Sequence, residues 1–186
     1  MDNKRLKMFI GITLIVALVG LCGFYIFQKL SENKETFSEY TPEEEISDVQ
    51  FRSTVVKLFF KETNSNNLRI EVRNVDAKEL ITNPYLTLVN LLIAGPSDEL
   101  LENAIPNGTT VNNATISGDT VLLDLSEAFI ANHPGGAEQE SATIYSIVNT
   151  LTELTEVNAV KFLIDGKDDC AFSDNAITLD EPFVRR

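Results

Sequence analysis

VVKLFFKETNSNNLRIEV, running from Val55 to Val72, decides the fold. Val56, Leu58 and Phe60 alternate with Lys57 and Lys61, the period-two pattern of a strand with one buried face. Leu68, Ile70 and Val72 repeat the pattern against Arg69, Glu71 and Arg73. Between the two runs, Thr63 to Asn67 is polar and rich in Asn, a composition suited to a hairpin turn. The stretch predicts two antiparallel strands, each with its apolar set turned inward.

Working downstream, Asn83 is placed to cap a helix and Pro84 to occupy its first turn, where a missing N–H costs nothing. Tyr85, Leu88, Val89 and Leu92 form the apolar stripe of that helix, and Gly95-Pro96 stops it. The segment SDELLENA suits one further helical turn. A second hairpin is predicted from Thr110 to Ile116 and Thr120 to Ser126, closed at Gly118-Asp119. A last helix follows at about Ala137 to Glu153, burying Ile144, Ile147, Val148, Leu151 and Leu154. Val157 to Asp165 reads as a strand, and Ala176 to Leu179 as a segment able to pair at an edge. The order is β-β-α-β-β-α-β. Helices on one face of a small, mostly antiparallel sheet bury both stripes, so the fold class is α+β, a compact two-layer sandwich.

Upstream, residues 9–27 read FIGITLIVALVGLCGFYIF without a charge, long enough to cross ~30 Å of hydrocarbon as a helix. Lys4, Arg5 and Lys7 precede it, which sets residues 1–8 in the cytoplasm and everything after the anchor outside. Cys22 lies where a lipoprotein would carry its acylated cysteine, but Leu21 stands where a small residue is wanted, and a helix-embedded thiol is the simpler reading. Residues 28–53 are acidic and without apolar periodicity, a linker. Residues 54–186 form the domain.

The chain has 186 residues and a net charge of −13, the wrong sign for holding a phosphate backbone, so nucleic acid is excluded as a partner. After Phe27, 12 basic residues face 27 acidic ones. One histidine and two distant cysteines exclude the usual His and Cys zinc sets and a disulfide framework.

The domain resembles the GerMN domain family, named for the spore germination protein GerM and found in sporulation and envelope proteins of Gram-positive bacteria. The resemblance runs from about Val55 to Ile164 and rests on VVKLFF, LLIAGPSDE (Leu91 to Glu99), AIPNGTTV (Ala104 to Val111), GDTVLLDLSEAF (Gly118 to Phe129), IVNTLTEL (Ile147 to Leu154) and VNAVKFLIDGK (Val157 to Lys167). Its signature positions are Gly95, Pro96, Pro106, Gly108, Asp124, Phe129, Thr150, Leu151 and Val160. The resemblance implies an extracytoplasmic interaction domain similar in fold to the ring-building modules of secretion-type assemblies. None of the signature residues needs an active site to explain it. Gly95 can cap a helix, Pro106 and Gly108 shape a turn, and Asp124 either points outward or caps the turn at Ser126.

Enzyme chemistry finds little support. No G-x-S-x-G elbow, HExxH pair, Walker loop or dinucleotide fingerprint occurs. His133, Cys170 and Arg185 are the residue types of a sortase-like transpeptidase, but Asp168 and Asp169 beside Cys170 oppose its thiolate. Asp165, Asp168, Asp169 and Asp174 gather oxygen ligands that suit Ca²⁺, at spacings unlike an EF-hand loop. A solvated acidic turn accounts for them as well. No catalytic residue, metal ligand or cofactor is assigned. The expectation is a membrane-anchored, non-enzymatic interaction protein of the bacterial envelope, in sporulation or spore germination, whose partners are envelope proteins or a second copy of itself. The alternatives are a peptidoglycan-binding module and a sortase-like thiol transpeptidase.

Overall fold

The structure, a computed structural model, describes residues 17–29, 53–172 and 177–186. The chain divides into two units, Met1–Glu45 and Ile46–Arg186. In the first, residues 17–29 form helix α1, exposed along its length. Among the described residues no helix is long and apolar enough to cross a membrane. Residues 9–16 of the expected anchor and residues 30–52 of the expected linker lie outside the described residues, and α1 takes in the first two linker positions, residues 28 and 29.

In the second unit, β1 (Ser53–Glu62) and β2 (Leu68–Asp76) pair antiparallel as expected. Their turn is set by Asn64 at φ 63° and by the Glu62 N–H donating to the Asn67 carbonyl at 2.9 Å. That turn fixes the register at Lys61 opposite Leu68, and the register overturns one expectation. Val56, Leu58 and Phe60 are buried, but their cross-strand partners are Arg73, Glu71 and Arg69. Ile70 and Val72 therefore share the opposite face with Lys57 and Phe59. Both strands were legible, and the buried face of the second was not.

Next come α2 (Ala77–Thr82), capped by the Asp76 carboxylate, and α3 (Pro84–Ala94). Asn83 caps α3 as its sequence indicates: Oδ1 accepts the Leu86 N–H at 3.0 Å, and Nδ2 donates to the Ala114 carbonyl at 3.1 Å. The helix ends at Gly95, whose φ of 89° a side chain resists. The segment expected to add a helical turn instead supplies β3 (Leu101–Glu102), which pairs with Lys61 and Glu62.

The second hairpin is β4 (Val111–Ser117) with β5 (Thr120–Leu125). After α4 (Ala128–Ala131), α5 (Ala137–Leu151) carries the chain over to β6 (Ala159–Ile164), which pairs parallel with β5. A parallel partner requires such a crossover. β7 (Phe183–Val184) then adds antiparallel to β6. Of the tail segment expected at an edge, Ala176 lies outside the described residues, and Thr178 forms a bridge with Ala171.

Two sheets result, ordered β2-β1-β3 and β4-β5-β6-β7, where a single sheet was expected. α5 is the reason. It is buried along most of its length from Glu140 to Leu151, with Ile144, Ile147, Val148 and Leu151 fully enclosed, so it is a central helix and not one lying on an outer face. The element order has the seven expected members, with α2, α4, β3 and β7 added. The core joins Leu58 and Phe60 of one sheet to Leu123, Leu125 and Phe162 of the other through α3 and α5.

Candidate functional site

The nine signature positions hold the scaffold. Gly95 donates its N–H to the Leu92 carbonyl, and its own carbonyl accepts from Arg73 at 2.9 Å. Glu71, paired with Arg73, accepts the N–H groups of Ser97 and Asp98 at 2.8 and 3.1 Å, so the loop containing Pro96 is fastened to β2. Burial pushes the Glu71 carboxyl up, but the Arg73 guanidinium and the two N–H donors outweigh it and hold the group below 4.5. The Pro106 carbonyl accepts both the N–H and the hydroxyl of Thr109. Gly108 has φ 83°, and a Cβ there would stand 3.4 Å from Asn132 Nδ2.

Asp124 lies on the outer face of β5, between the buried Leu123 and Leu125, as the first of its two readings has it. Its Oδ1 accepts the Gly166 N–H at 2.9 Å and so secures the turn after β6. Phe129 is fully buried, stacked on Phe162 at 5.9 Å and tilted against Phe172 at 5.6 Å. Leu151 and Val160 are core residues. Thr150 does something less common. Its Oγ1 accepts the Phe59 N–H at 3.0 Å and donates to the Ser146 carbonyl, while Ser146 Oγ donates to the Phe59 carbonyl at 2.5 Å. Two helix hydroxyls complete the edge of β1 where a strand would otherwise pair.

The residues of the transpeptidase alternative each have local partners of their own, although the His133 ring also packs on Phe172 at 4.6 Å, two residues beyond Cys170. His133 accepts the Gly135 N–H at Nδ1, which leaves Nε2 to donate to Thr143 Oγ1 at 3.0 Å; that hydroxyl donates to the Ala104 carbonyl at 2.7 Å. Arg185 pairs with Glu153 at 2.5 Å and lies over the Phe59 ring. The Cys170 thiol is pushed up by burial and by Asp169. Among the acidic residues considered for calcium, Asp165 accepts from Asn112 at 3.0 Å, and Asp174 lies outside the described residues. Among the described residues no group of three or more His, Cys, Asp or Glu could hold a metal ion.

A different feature was missed. On the outward face of β1 and β2, Val55 is 62% exposed, Val72 63% and Ile70 44%. Ile70 stands opposite Phe59, which with Leu68, Asn66, Glu138 and Tyr145 lines a shallow groove of about 910 Å³ between the hairpin turn and α5. Apolar side chains left outward on a regular strand pair mark a contact surface more often than a scattered leucine does. Alternation already sets Val55 opposite the buried Val56, but it could not reveal Ile70 and Val72, because only the turn register says which set of β2 faces out.

Residues 57–170 match the family model Germane, described as sporulation and spore germination. The chain belongs to this family. Its fold is similar to the tandem GerMN domains of the sporulation protein GerM from Bacillus subtilis, at 20% identity and TM-score 0.61, covering 78% of this chain and 50% of that one. The first GerMN domain of the same protein gives 20% identity and TM-score 0.59 over 71% of this chain and 98% of that one. The chain thus spans about half the length of the tandem structure. At this identity the likeness shows the fold: a mixed α+β, GerMN-like domain. No curated protein matches the chain. Within the Germane domain, the loop following Gly95 and the α5 hydroxyls are parts of the frame, and the Val55, Ile70 and Val72 face is left over from it.

Proposed function

We propose that the protein is a membrane-anchored interaction protein of the bacterial envelope, non-enzymatic, acting in sporulation or spore germination with its C-terminal domain outside the cytoplasm. Family membership carries this reading, since the matched model is described as sporulation and spore germination. Residues 9–27 supply the anchor by their uncharged length, and the basic residues before them supply its orientation. The non-enzymatic reading is supported by the hydrogen bonds that engage His133, by the Arg185–Glu153 pair, and by the Cys170 thiol, whose pKa burial and Asp169 push up. The outward hairpin face with Val55, Ile70 and Val72 is the surface assigned to the partner, an envelope protein or a second copy.

The test is in-cell crosslinking followed by affinity purification of the full chain through growth and spore formation. A reproducible set of envelope proteins or a homomeric ladder is the expected result. Recovery of the protein with wall fragments alone would favour the peptidoglycan-binding alternative. Recovery in the soluble cytoplasmic fraction would remove the anchor.

A further inference from the structure

A second concavity, away from the hairpin face, has the character of a small-ligand site. It measures about 330 Å³, at the lower end of ligand pockets, and opens where the loop 103–107, the loop 132–134 and the first turns of α5 meet. Ile105 and Pro106 are buried beneath it. Its walls are held in place. Asn103 donates to the Ile93 carbonyl and accepts the Ile105 N–H, which pins one loop. Asn132 Nδ2 donates to the Asn107 carbonyl at 2.8 Å, which ties the second loop to the first. The chain from Gly135 through His133 and Thr143 to Ala104 ties both to α5. A site fixed in this way loses little freedom when a ligand arrives.

The polar groups left facing this pocket are amides. The side chains of Asn107 and Gln139 make no hydrogen bond among the described residues, and Asn132 Oδ1 remains after its amide nitrogen is engaged. Each free amide both donates and accepts. The one cation at the rim, Lys61, is paired with Glu102 at 2.7 Å. An anionic ligand would have to break that pair and enter a chain of net charge −13. A neutral ligand that presents donors and acceptors side by side meets no such cost.

From this we infer that the pocket between Asn107, Asn132 and Gln139 binds a neutral N-acetylated sugar, with the amides engaging its hydroxyls and acetamido group. The inference does not depend on the partner surface proposed for the hairpin, which lies on other residues.

His133 lines the pocket and is the sole histidine of the chain, so its ring resonances report occupancy without assignment of the rest. The full chain in detergent micelles is titrated with N-acetylglucosamine trimer, with cellotriose and with N-acetyl-Ala-Ala amide. Saturable shifts of the His133 ring with the first probe alone are expected. The Asn107→Ala and Gln139→Ala variants should each weaken that binding roughly five- to tenfold. Asn90→Ala, on an exposed part of α3, should leave it unchanged. Absence of saturation with the acetylated trimer, equal binding of cellotriose or of the peptide, or undiminished binding by both pocket variants would overturn the inference. A sugar bound here would bring wall glycan into the crosslinked material, so the hairpin face is judged by the protein partners recovered and the pocket by the His133 titration.

Discussion

Glu71 accepts the Ser97 N–H at 2.8 Å, a bond across 26 residues that joins the middle of β2 to the loop leaving α3. With the Asp98 N–H on the same oxygen and Arg73 on the other, one carboxylate organises the segment that follows Gly95. An ionised glutamate is therefore required on the inward side of a strand.

Because the folded carboxyl of Glu71 lies below its usual value of 4.5, the unfolded chain binds that proton more readily than the folded one. Its stabilising contribution is complete above about pH 4.5 and is lost as pH falls through the folded value. Glu153, held low by Lys57 and Arg185 against the opposing effect of burial, acts in the same direction. Glu71→Gln should lower unfolding stability at pH 7 by about 1–3 kcal/mol. It should also flatten the decline below pH 4.5, as read by urea melts at pH 3 to 7. An unchanged pH profile would remove Glu71 from this role.

Thr150→Val keeps the shape of α5 and takes the acceptor away from the Phe59 N–H. The buried donor left behind should cost about 1–3 kcal/mol. Thr150→Ser retains the hydroxyl and should lose less, so the order wild type, Ser, Val in thermal melts distinguishes the bond from the methyl group.

Phe129→Ala empties the contact among Phe129, Phe162 and Phe172 and should cost about 3–5 kcal/mol. Gly108→Ala forces a side chain into φ 83° and against Asn132, for a loss of roughly 1–2 kcal/mol. Gly118→Ala has open space around its Cβ and bears only the conformational part. Denaturant midpoints should rank Phe129→Ala lowest and Gly118→Ala nearest wild type.

Ile70→Lys and Val72→Lys act on exposed positions and should shift stability by no more than about 0.5 kcal/mol. Under the proposed function, the same changes should abolish the crosslinked species. Retention of the full crosslinking pattern in the double variant would exclude this face as the contact.

In a Cys22→Ser background, Cys170 should alkylate more slowly at pH 8 than a free thiol, because burial and Asp169 push its pKa up. Fast modification would reopen the thiol chemistry.

Signals that act within a few residues were legible. Asn83-Pro84 opens α3 and Gly95 closes it, and Gly118-Asp119 closes the second hairpin, because caps and turns depend on local backbone conformation. Family membership was legible too, through the order of short motifs. What failed depends on distant partners. Arg69, Glu71 and Arg73 looked like a solvated face, yet the loop at 95–98 gives Glu71 and Arg73 an inward place, and Ile70 and Val72 turn outward as a result. The division into two sheets was equally hidden, since it rests on α5 hydroxyls reaching Phe59. The amide pocket brings together loops whose tied residues, Asn107 and Asn132, are 25 positions apart, and no motif in the sequence announces it.

The edge of β1 at Phe59 has a bearing on the order in which the domain can be completed. Ser146 and Thr150 lie 87 and 91 residues further along the chain. A polypeptide emerging from its N-terminus, at the ribosome or through a translocation channel, presents the first hairpin well before the helix that seals it. During that interval the strand edge is open to any other extended chain nearby. Full protection arrives only when α5 has emerged, so the domain matures from its last third backwards, and a truncation before Ser146 leaves an adhesive remnant instead of a smaller domain.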